Sequence, residues 1–171
     1  MDARVRDTNV IRIFGSRVNM VNIAFILDWM EERIRGFDSR EMPAGQLLVT
    51  GFHGLNQARK DPGYFRIAEQ CDLWAPDSIA PVMVARMRGV KGAVRTPGAE
   101  IMDGFFQRAD CQGYASYFYG DADPTLAALK QKLGTRYPGH RVAGSFSPPF
   151  RPLSAAEEDR KSTLLNSSHY S

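Results

Sequence analysis

The sequence has few of the residues that build zinc sites and disulfide frameworks. Among 171 residues there are two cysteines and three histidines, and Cys71 and Cys111 form no CxxC pair. Neither kind of framework is indicated, and we expect both thiols to be free and buried. No run approaches the ~20 apolar residues that span a bilayer, and residues 1–7 lack an apolar signal core. We therefore expect the protein to be made and to remain in the cytoplasm.

Several motifs that define large enzyme classes are also missing. The sequence contains no GxGxxG, no GxxxxGK[ST], no GxSxG and no HExxH. These absences remove the main support for a nicotinamide-dependent oxidoreductase, a P-loop NTPase, a serine hydrolase and a zinc protease. The net charge does not indicate a class of ligand either, because 22 basic and 19 acidic residues give only +3. The basic residues are spread along the chain, which does not indicate a nucleic-acid surface but is compatible with a phosphate-bearing ligand.

Short apolar segments alternate with segments of helical spacing along the chain. Apolar runs typical of buried strands lie at residues 10–14, 46–50, 72–75, 114–119 and 141–146. Helical patterns lie at residues 21–35, 53–60, 64–70, 78–88 and 97–109, and from Asp123 onwards. This alternation predicts one α/β domain over residues 1–160, with a Rossmann-like, mostly parallel sheet covered by helices on both faces. A last helix is expected at residues 155–160, and the Ser-rich residues 161–171 are expected to form a disordered tail.

The loops that follow the predicted strands carry the candidate catalytic residues. In folds of this class, ligands bind where the parallel strands end. Asp77 follows the strand at 72–75, where a carboxylate could accept a proton from an incoming hydroxyl, although an N-cap of the next helix is the alternative. Thr50 ends the preceding strand and could donate a hydrogen bond to a ligand or to the backbone. His53 could be an acid, a base or a ligand to a substrate hydroxyl, but it has no partner that would assign a mechanism.

Arg95 and Gly120 are candidates for binding an anion. Arg95 precedes the helix that starts near Gly98, where a guanidinium could clamp a diphosphate together with backbone amides, a surface arginine being the alternative. Gly120 follows the strand at 114–119 and precedes the sequence Asp-Ala-Asp at 121–123, which matches the DxD pattern of metal-binding sugar-nucleotide sites only in its residue types. Because Pro124 and a helical pattern follow, we interpret Asp123 as a helix cap and Asp121 as a turn residue, not as a metal pair. Amides at that helix N-terminus could still hold phosphate.

Four blocks, read in order, resemble the WecG/TagA/CpsF family of glycosyltransferases (glycosyltransferase family 26). They are QLLVTGFHGLNQARKDPGYF, CDLWAPDSIAPVMVARMRG, VRTPGAEIMDGFF and YFYGDADPTLAALKQKLGTRYPGHRVAGSFSPPFRPL. The likeness covers roughly residues 10–160. It implies transfer of a hexose, N-acetylmannosamine or a related sugar, from a UDP-sugar to a polyprenyl-diphosphate-linked acceptor in surface polysaccharide or teichoic acid synthesis. It further implies an inverting reaction without a metal or a cofactor.

The resemblance also implies roles for individual residues. The family's proposed base falls on Asp77, its strand-end threonine on Thr50, its RxPG arginine on Arg95 and its donor-binding glycine loop on Gly120. Substrate contacts are also expected from Gly98, within the RxPG block, and from His53. The family's usual Asn and Gly are Phe52 and Ser78 here, so the acceptor side is expected to differ.

Members of the family continue through a further strand and a GxPKQE-like block, and often a basic appendage. The chain is therefore expected to be truncated near Arg160, and two alternatives stay open: a non-catalytic sugar-nucleotide-binding module and an inactive fragment. Contact with the inner face of the plasma membrane is expected from the family's substrates alone, because the sequence shows no amphipathic anchor. The sugar, the acceptor, the linkage and the oligomeric state are left open, a homo-oligomer included.

Overall fold

A computed structural model of the chain describes residues 9–38, 44–149, 151 and 154. The helix predicted at 155–160 and the tail predicted at 161–171 lie outside the described residues. The chain is an α/β protein and splits into two compact units, and the division falls between Gly104 and Phe105. In chain order the elements are β1 (Asn9–Ile13), β2 (Ser16–Met20), α1 (Ile23–Asp38), β3 (Leu47–Thr50), α2 (Phe52–Lys60), α3 (Pro62–Gln70), β4 (Leu73–Pro76), α4 (Ile79–Met87), α5 (Gly98–Gln112), β5 (Ala115–Tyr119), α6 (Asp123–Arg136) and β6 (Arg141–Phe146).

The first two strands form an antiparallel hairpin that the sequence pattern did not predict. Phe14 and Gly15 join the strands with φ angles of 52° and 86°. Two successive residues with positive φ match the right-handed twist of a tight hairpin. The prediction that one strand at 10–14 leads directly into a helix was therefore wrong. The sequence pattern does not predict β2, because Arg17 and Asn19 interrupt its apolar residues, although all five residues of the strand are buried.

Two polar residues of β2, Arg17 and Asn19, bond to residues far away in the sequence. The Arg17 amide donates to Glu69 Oε1 at 2.7 Å, and the Arg17 guanidinium donates to the Cys71 carbonyl. Asn19 is fully buried, and its Oδ1 accepts a hydrogen bond from the Trp74 amide at 3.0 Å. This side chain links β2 to β4 without a backbone ladder between them, so Arg17 and Asn19 have the partners that burial requires.

Strands β3 and β4 pair in parallel, from Leu47 opposite Leu73 to Thr50 opposite Pro76. Both strands therefore end at the same level. Apolar residues of the hairpin, of β4, of α2, α3 and α4 and of the loop after α4 pack together in one core, namely Ile11, Ile13, Val18, Met20, Leu55, Ala58, Ala68, Trp74, Val82, Ala85 and Ala93. This packing fixes the level at which the loops after β3 and β4 leave the strands.

Strands β5 and β6 of the second unit also pair in parallel, with α6 between them in the sequence. The sequence pattern predicted parallel pairing, and these two pairs have it. Within the described residues, however, the ladders form three two-stranded sheets, one of them antiparallel, and not a single parallel sheet.

His140 lies inside the second unit, although its sequence context predicted a turn. Its side chain is buried, its Nε2 lies 2.9 Å from Ser116 Oγ, and its ring centroid is 5.0 Å from that of Phe106. Burial lowers the pKa of His140 below the ordinary value of 6.5, and the nearby charge of Asp110 acts in the opposite direction. The imidazole is therefore part of this unit's packing, where burial favours its neutral form.

The two thiols differ in their surroundings. Cys71 is free and buried, as expected, and burial raises the pKa of its thiol. Cys111 is free but exposed, so the expectation that it is buried was wrong. It follows Asp110 in the last turn of α5, where the helix pattern alone does not reveal which face is covered. As for the bilayer, none of the helices in the described ranges is both long enough and apolar enough to cross it.

Candidate active site

Thr50 and Asp77 meet at the carboxyl ends of the parallel strands β3 and β4. Thr50 is paired with Pro76 in the ladder, and the Asp77 amide donates to the Thr50 carbonyl at 3.3 Å. Both residues are partly buried. The structure thus brings together the two predicted catalytic residues, at the edge of the parallel pair where ligands of α/β folds collect.

The Asp77 carboxylate caps a helix, but not the helix that follows it in the sequence. Its Oδ1 accepts a hydrogen bond from the Gly98 amide, the first residue of α5, at 2.9 Å. The N-cap residue of α4 is Ser78, and that helix start has no side-chain cap. Within residues 9–38 and 44–149, no other hydrogen bond or ion pair to the Asp77 carboxylate is present. One carboxylate oxygen is therefore held in place, while the described residues give the other no hydrogen-bond partner.

Ser78 ties a second helix to the same loop. Its Oγ accepts a hydrogen bond from the Phe52 amide, the first residue of α2, at 3.2 Å. Since α4 begins at Ile79, directly after Ser78, the N-termini of α2, α4 and α5 all converge on the end of β4. Helix N-termini carry partial positive charge and amides without intrahelical partners. This end of the strands is therefore suited to an anion as well as to a fixed carboxylate.

Thr96 holds the segment before α5 against the end of β4. It is fully buried, and both its amide and its hydroxyl donate to the Pro76 carbonyl, at 2.9 and 3.2 Å. The sequence reasoning assigned no role to Thr96. Its position directly before the Pro97 that opens the helix pattern was the available signal, because polar residues often close such helix starts.

Close packing against Gly54 positions the Thr50 side chain. A Cβ at position 54 would overlap Thr50 Oγ1 and would lie 2.8 Å from Thr50 Cγ2. Only glycine therefore lets the first turn of α2 approach the Thr50 side chain this closely. Gly54 was not among the predicted site residues, although it lies in the block that follows Thr50.

Arg95, His53 and Gly98 lie on the segments around this strand end. Arg95 is largely exposed, and its Nη2 is 3.9 Å from Glu100 Oε1 in the first turn of α5. His53 is exposed in the first turn of α2, and the described residues provide it with no hydrogen bond or ion pair. The Gly98 amide already bonds to Asp77, so in this structure it serves the carboxylate and is not free for a ligand.

The second unit places Gly120 at the end of β5 with a φ of 123°. Its amide donates to the Phe146 carbonyl at 3.0 Å, and Asp121, with a φ of 61°, accepts from the Ala122 amide at 2.7 Å. The interpretation of Asp121 as a turn residue is confirmed. The interpretation of Asp123 as a helix cap is wrong, because Ala122 is the N-cap residue and Asp123 is the first residue of α6. This helix N-terminus has no side-chain cap.

Acidic, histidine and cysteine side chains do not gather around either strand end. Over the described part of the chain, no group of three or more of them could hold a metal ion. The DxD spelling thus consists of a turn residue that bonds to its neighbour and a residue of the first helical turn.

A carboxylate that is held at the end of parallel strands, among the N-termini of helices, is an arrangement typical of the ligand sites of α/β proteins. The glycosyl transferase WecG/TagA/CpsF family matches residues 11–169, and the chain belongs to that family. This confirms the resemblance seen in the four sequence blocks, and the match extends beyond the predicted residue 160.

A relative with a curated name is similar to part of the chain. It is the N-acetylglucosaminyldiphosphoundecaprenol N-acetyl-beta-D-mannosaminyltransferase of Bacillus spizizenii, which is 25% identical over 125 residues. These residues are 69% of this chain and 49% of the relative, so the chain spans about half the length of the relative that it matches.

Proposed function

We propose that the protein transfers a hexose of the N-acetylmannosamine type from a UDP-sugar to a polyprenyl-diphosphate-linked acceptor. Family membership supports glycosyl transfer, and the name of the Bacillus relative supports this sugar and a lipid-diphosphate acceptor. The reaction would belong to surface polysaccharide or teichoic acid synthesis, on the cytoplasmic side of the plasma membrane. We also infer a Rossmann-like architecture for this α/β protein.

The carboxylate of Asp77 carries the proposal. Its Oδ1 is fixed by the Gly98 amide at 2.9 Å, which gives the other oxygen, Oδ2, a defined direction. In our proposal, Oδ2 takes the proton of the acceptor hydroxyl while that oxygen attacks the anomeric carbon and the bond to UDP breaks. One such displacement inverts the anomeric configuration. General-base catalysis of this kind contributes about 10²- to 10⁴-fold to the rate.

Positive partial charges would stabilise the departing diphosphate. We propose that Arg95 and free amides at the helix N-termini receive this charge, so that no metal is needed. In the second unit, Gly120 and the uncapped amides of α6 remain the proposed donor-binding element. Thr50 and His53 are proposed to bind hydroxyl groups of the acceptor. We assign Gly98 to positioning the base, because its amide already bonds to Asp77.

A non-catalytic sugar-nucleotide-binding module is the second candidate. The observation that favours it is the uncapped N-terminus of α6, which could bind a diphosphate without any group that transfers the sugar. A module of this kind would bind UDP through the same amides but would lack groups that complete the transfer.

Transfer with defined substrates tests the proposal. The protein is incubated with UDP-N-acetylmannosamine and a lipid-diphosphate N-acetylglucosamine, and the product is analysed by mass spectrometry and by NMR of the new anomeric centre. We expect transfer with inverted configuration that a chelator does not diminish. Calorimetric binding of UDP without transfer would instead favour the binding module, and loss of transfer with chelator would contradict the metal-free step. A chain that binds neither UDP nor UDP-sugars would contradict both candidates.

A further inference from the structure

Helix α4 is apolar on two opposite faces. Its inner face places Pro81, Val82 and Ala85 in the packed interior. On the outer face, Ile79, Met83 and Met87 are 54%, 56% and 85% exposed. Their spacing of four residues puts them in one stripe. Because a helix that is apolar all round is ordinarily buried, the outer stripe is a surface that is suited to being covered.

The charges around this stripe have one sign. Between Asp77 and Glu100 the sequence contains four basic residues and no acidic residue. Three of the basic residues lie at or just after the C-terminal end of α4 and are exposed, namely Arg86, Arg88 and Lys91. In the described part of the chain, none of the three is paired with a carboxylate. Their positive charge is therefore available to an anionic partner.

Backbone acceptors hold the basic end of α4 in shape. The Arg86 guanidinium donates twice to the Ala93 carbonyl, at 3.0 and 2.8 Å, which folds the following loop back onto the helix end. The Arg88 guanidinium donates to the Arg12 carbonyl at 2.5 Å. Neutral carbonyls fix these side chains without cancelling their charge. The stripe of Ile79, Met83 and Met87 and the three basic residues are called the α4 face below.

We propose that the α4 face docks on the surface of an anionic membrane. Apolar side chains of a surface helix can enter the boundary between headgroups and acyl chains, while arginine and lysine side chains beside them pair with lipid phosphates. The α4 face combines exposed methionine and isoleucine with basic side chains that have no carboxylate partner among the described residues. No acidic residue lies between Asp77 and Glu100. These features fit an anionic membrane surface. From the sequence, Ile79, Val82, Met83 and Met87 are expected to cover a sheet face together, but in the structure only Val82 is buried, and the other three form the exposed stripe.

Docking would bring the candidate base close to the bilayer. Ile79, the first residue of the stripe, lies two positions after Asp77 in the sequence. A lipid-linked acceptor keeps its reactive sugar near the headgroups, so a docked α4 face would place the strand end where that sugar lies. This consequence rests on the proposed function, whereas docking itself does not.

Flotation of the 171-residue chain with lipid vesicles tests the docking, in the absence of nucleotide and acceptor. We expect binding to vesicles that contain phosphatidylglycerol, little binding to pure phosphatidylcholine, and weaker binding in high salt. The double variant Met83→Gln/Met87→Gln should lower the affinity about tenfold or more, since it removes apolar area from the contact. Lys91→Gln should lower the affinity about fivefold, the effect of one basic charge near an anionic surface.

Matched variants distinguish docking through the α4 face from nonspecific adsorption to lipid and from catalysis. Ile67 on α3 is 59% exposed, so Ile67→Gln removes a comparable apolar side chain elsewhere and should leave vesicle binding unchanged. Asp77→Asn should bind vesicles like the unmodified chain even if transfer is lost. Docking and the proposed activity can therefore fail independently.

The unmodified chain alone can overturn the proposal, whatever the folding of the variants. Equal binding to neutral and anionic vesicles, or no binding to either, would contradict it. Sedimentation velocity adds a third outcome: self-association that Met83→Gln/Met87→Gln abolishes, without vesicle binding, would make the α4 face an interface between copies of the chain.

Discussion

The two parallel strand pairs end in different chemistry. In the first unit, side chains occupy helix amides: Asp77 accepts from the Gly98 amide and Ser78 from the Phe52 amide. In the second unit, α6 begins without a side-chain cap, and the carboxylate of Asp121 bonds to the amide of its own neighbour. At the strand ends of the first unit, side chains thus bond to the first amides of α2 and α5, although α4 begins without a side-chain cap, whereas no side chain caps α6 in the second unit.

The comparison indicates two roles for a helix N-terminus at the end of a strand: it can fix a side chain, or it can bind an anion. Where a carboxylate occupies the amide, the helix fixes that carboxylate and gives its second oxygen a direction, which suits proton transfer. Where the amides stay free, they can receive the oxygens of a phosphate. Our proposal assigns the base to the first strand end and considers the α6 N-terminus by itself as a phosphate-binding element.

Asp77→Ala should have the largest effect, because it removes the only carboxylate at the ends of β3 and β4 for which we propose a catalytic role. It removes the base and the α5 cap together, so transfer should fall by about 10²- to 10⁴-fold. The free energy of unfolding should also fall, by about 1 kcal/mol for a lost helix cap. Transfer rates and denaturant unfolding measure the two losses. Asp61→Ala is the control, because Asp61 caps α3 through the amides of Gly63 and Tyr64 and should cost stability without costing transfer.

Gly54→Ala should disturb the first unit next. The new Cβ would overlap the Thr50 side chain, and such overpacking costs about 1–3 kcal/mol of stability. Gly134→Ala is its counterpart in the second unit, where nothing lies within 4 Å of an added Cβ. That change should stabilise the protein by about 0.5–1 kcal/mol, as alanine does in a helix interior. Thermal unfolding of both variants checks the opposite signs, and equal shifts would contradict the packing described for Thr50.

Ala122→Ser should make the second strand end resemble the first. A serine hydroxyl at the N-cap would accept an amide of α6 and should stabilise the helix by about 0.5–1 kcal/mol. If the free amides bind the donor, the affinity for UDP should fall at the same time. Calorimetric titration with UDP measures this change. Unchanged affinity together with higher stability would remove the α6 N-terminus from the donor site.

Acidification should have the smallest effect, confined to the second unit. Burial lowers the pKa of His140 below its ordinary value of 6.5, so the unfolded chain takes up a proton at a higher pH than the folded chain. His140 therefore contributes stability above pH 6.5 that is lost as the pH falls from there through its lower folded pKa. Thermal midpoints of the protein and of His140→Gln, measured over this range, should converge as the pH falls. Parallel curves would contradict the role of burial.

Local patterns predicted the strand ends, but not the contacts across them. The apolar run before Thr50 and the aromatic run before Gly120 are short and bounded by turn residues, which is a local signal of a strand end. Strand β2 was missed because the partners of Arg17 and Asn19 lie on other elements. Burial of polar residues depends on such partners, and a pattern read along the chain does not contain them.

The candidate site shows the same limit. The position of Asp77 after a strand was readable from the sequence, and a capping role was one of the two interpretations considered. The sequence does not predict which helix Asp77 caps, because Gly98, whose amide donates to it, follows α4 and lies 21 residues further along the chain. Likewise, the start of α6 was placed correctly near Asp123, but the cap position differed by one residue, a detail that backbone angles decide.

Asp77→Asn tests the central claim most directly. Asparagine keeps an oxygen that can accept from the Gly98 amide but cannot take a proton from the acceptor, so it removes the base while leaving the α5 cap. Transfer and thermal unfolding are measured on the same preparation. We predict that transfer falls by at least about 10²-fold while the unfolding midpoint stays at that of the unmodified protein. Unchanged transfer in the Asp77→Asn variant would contradict the claim that this carboxylate is the catalytic base.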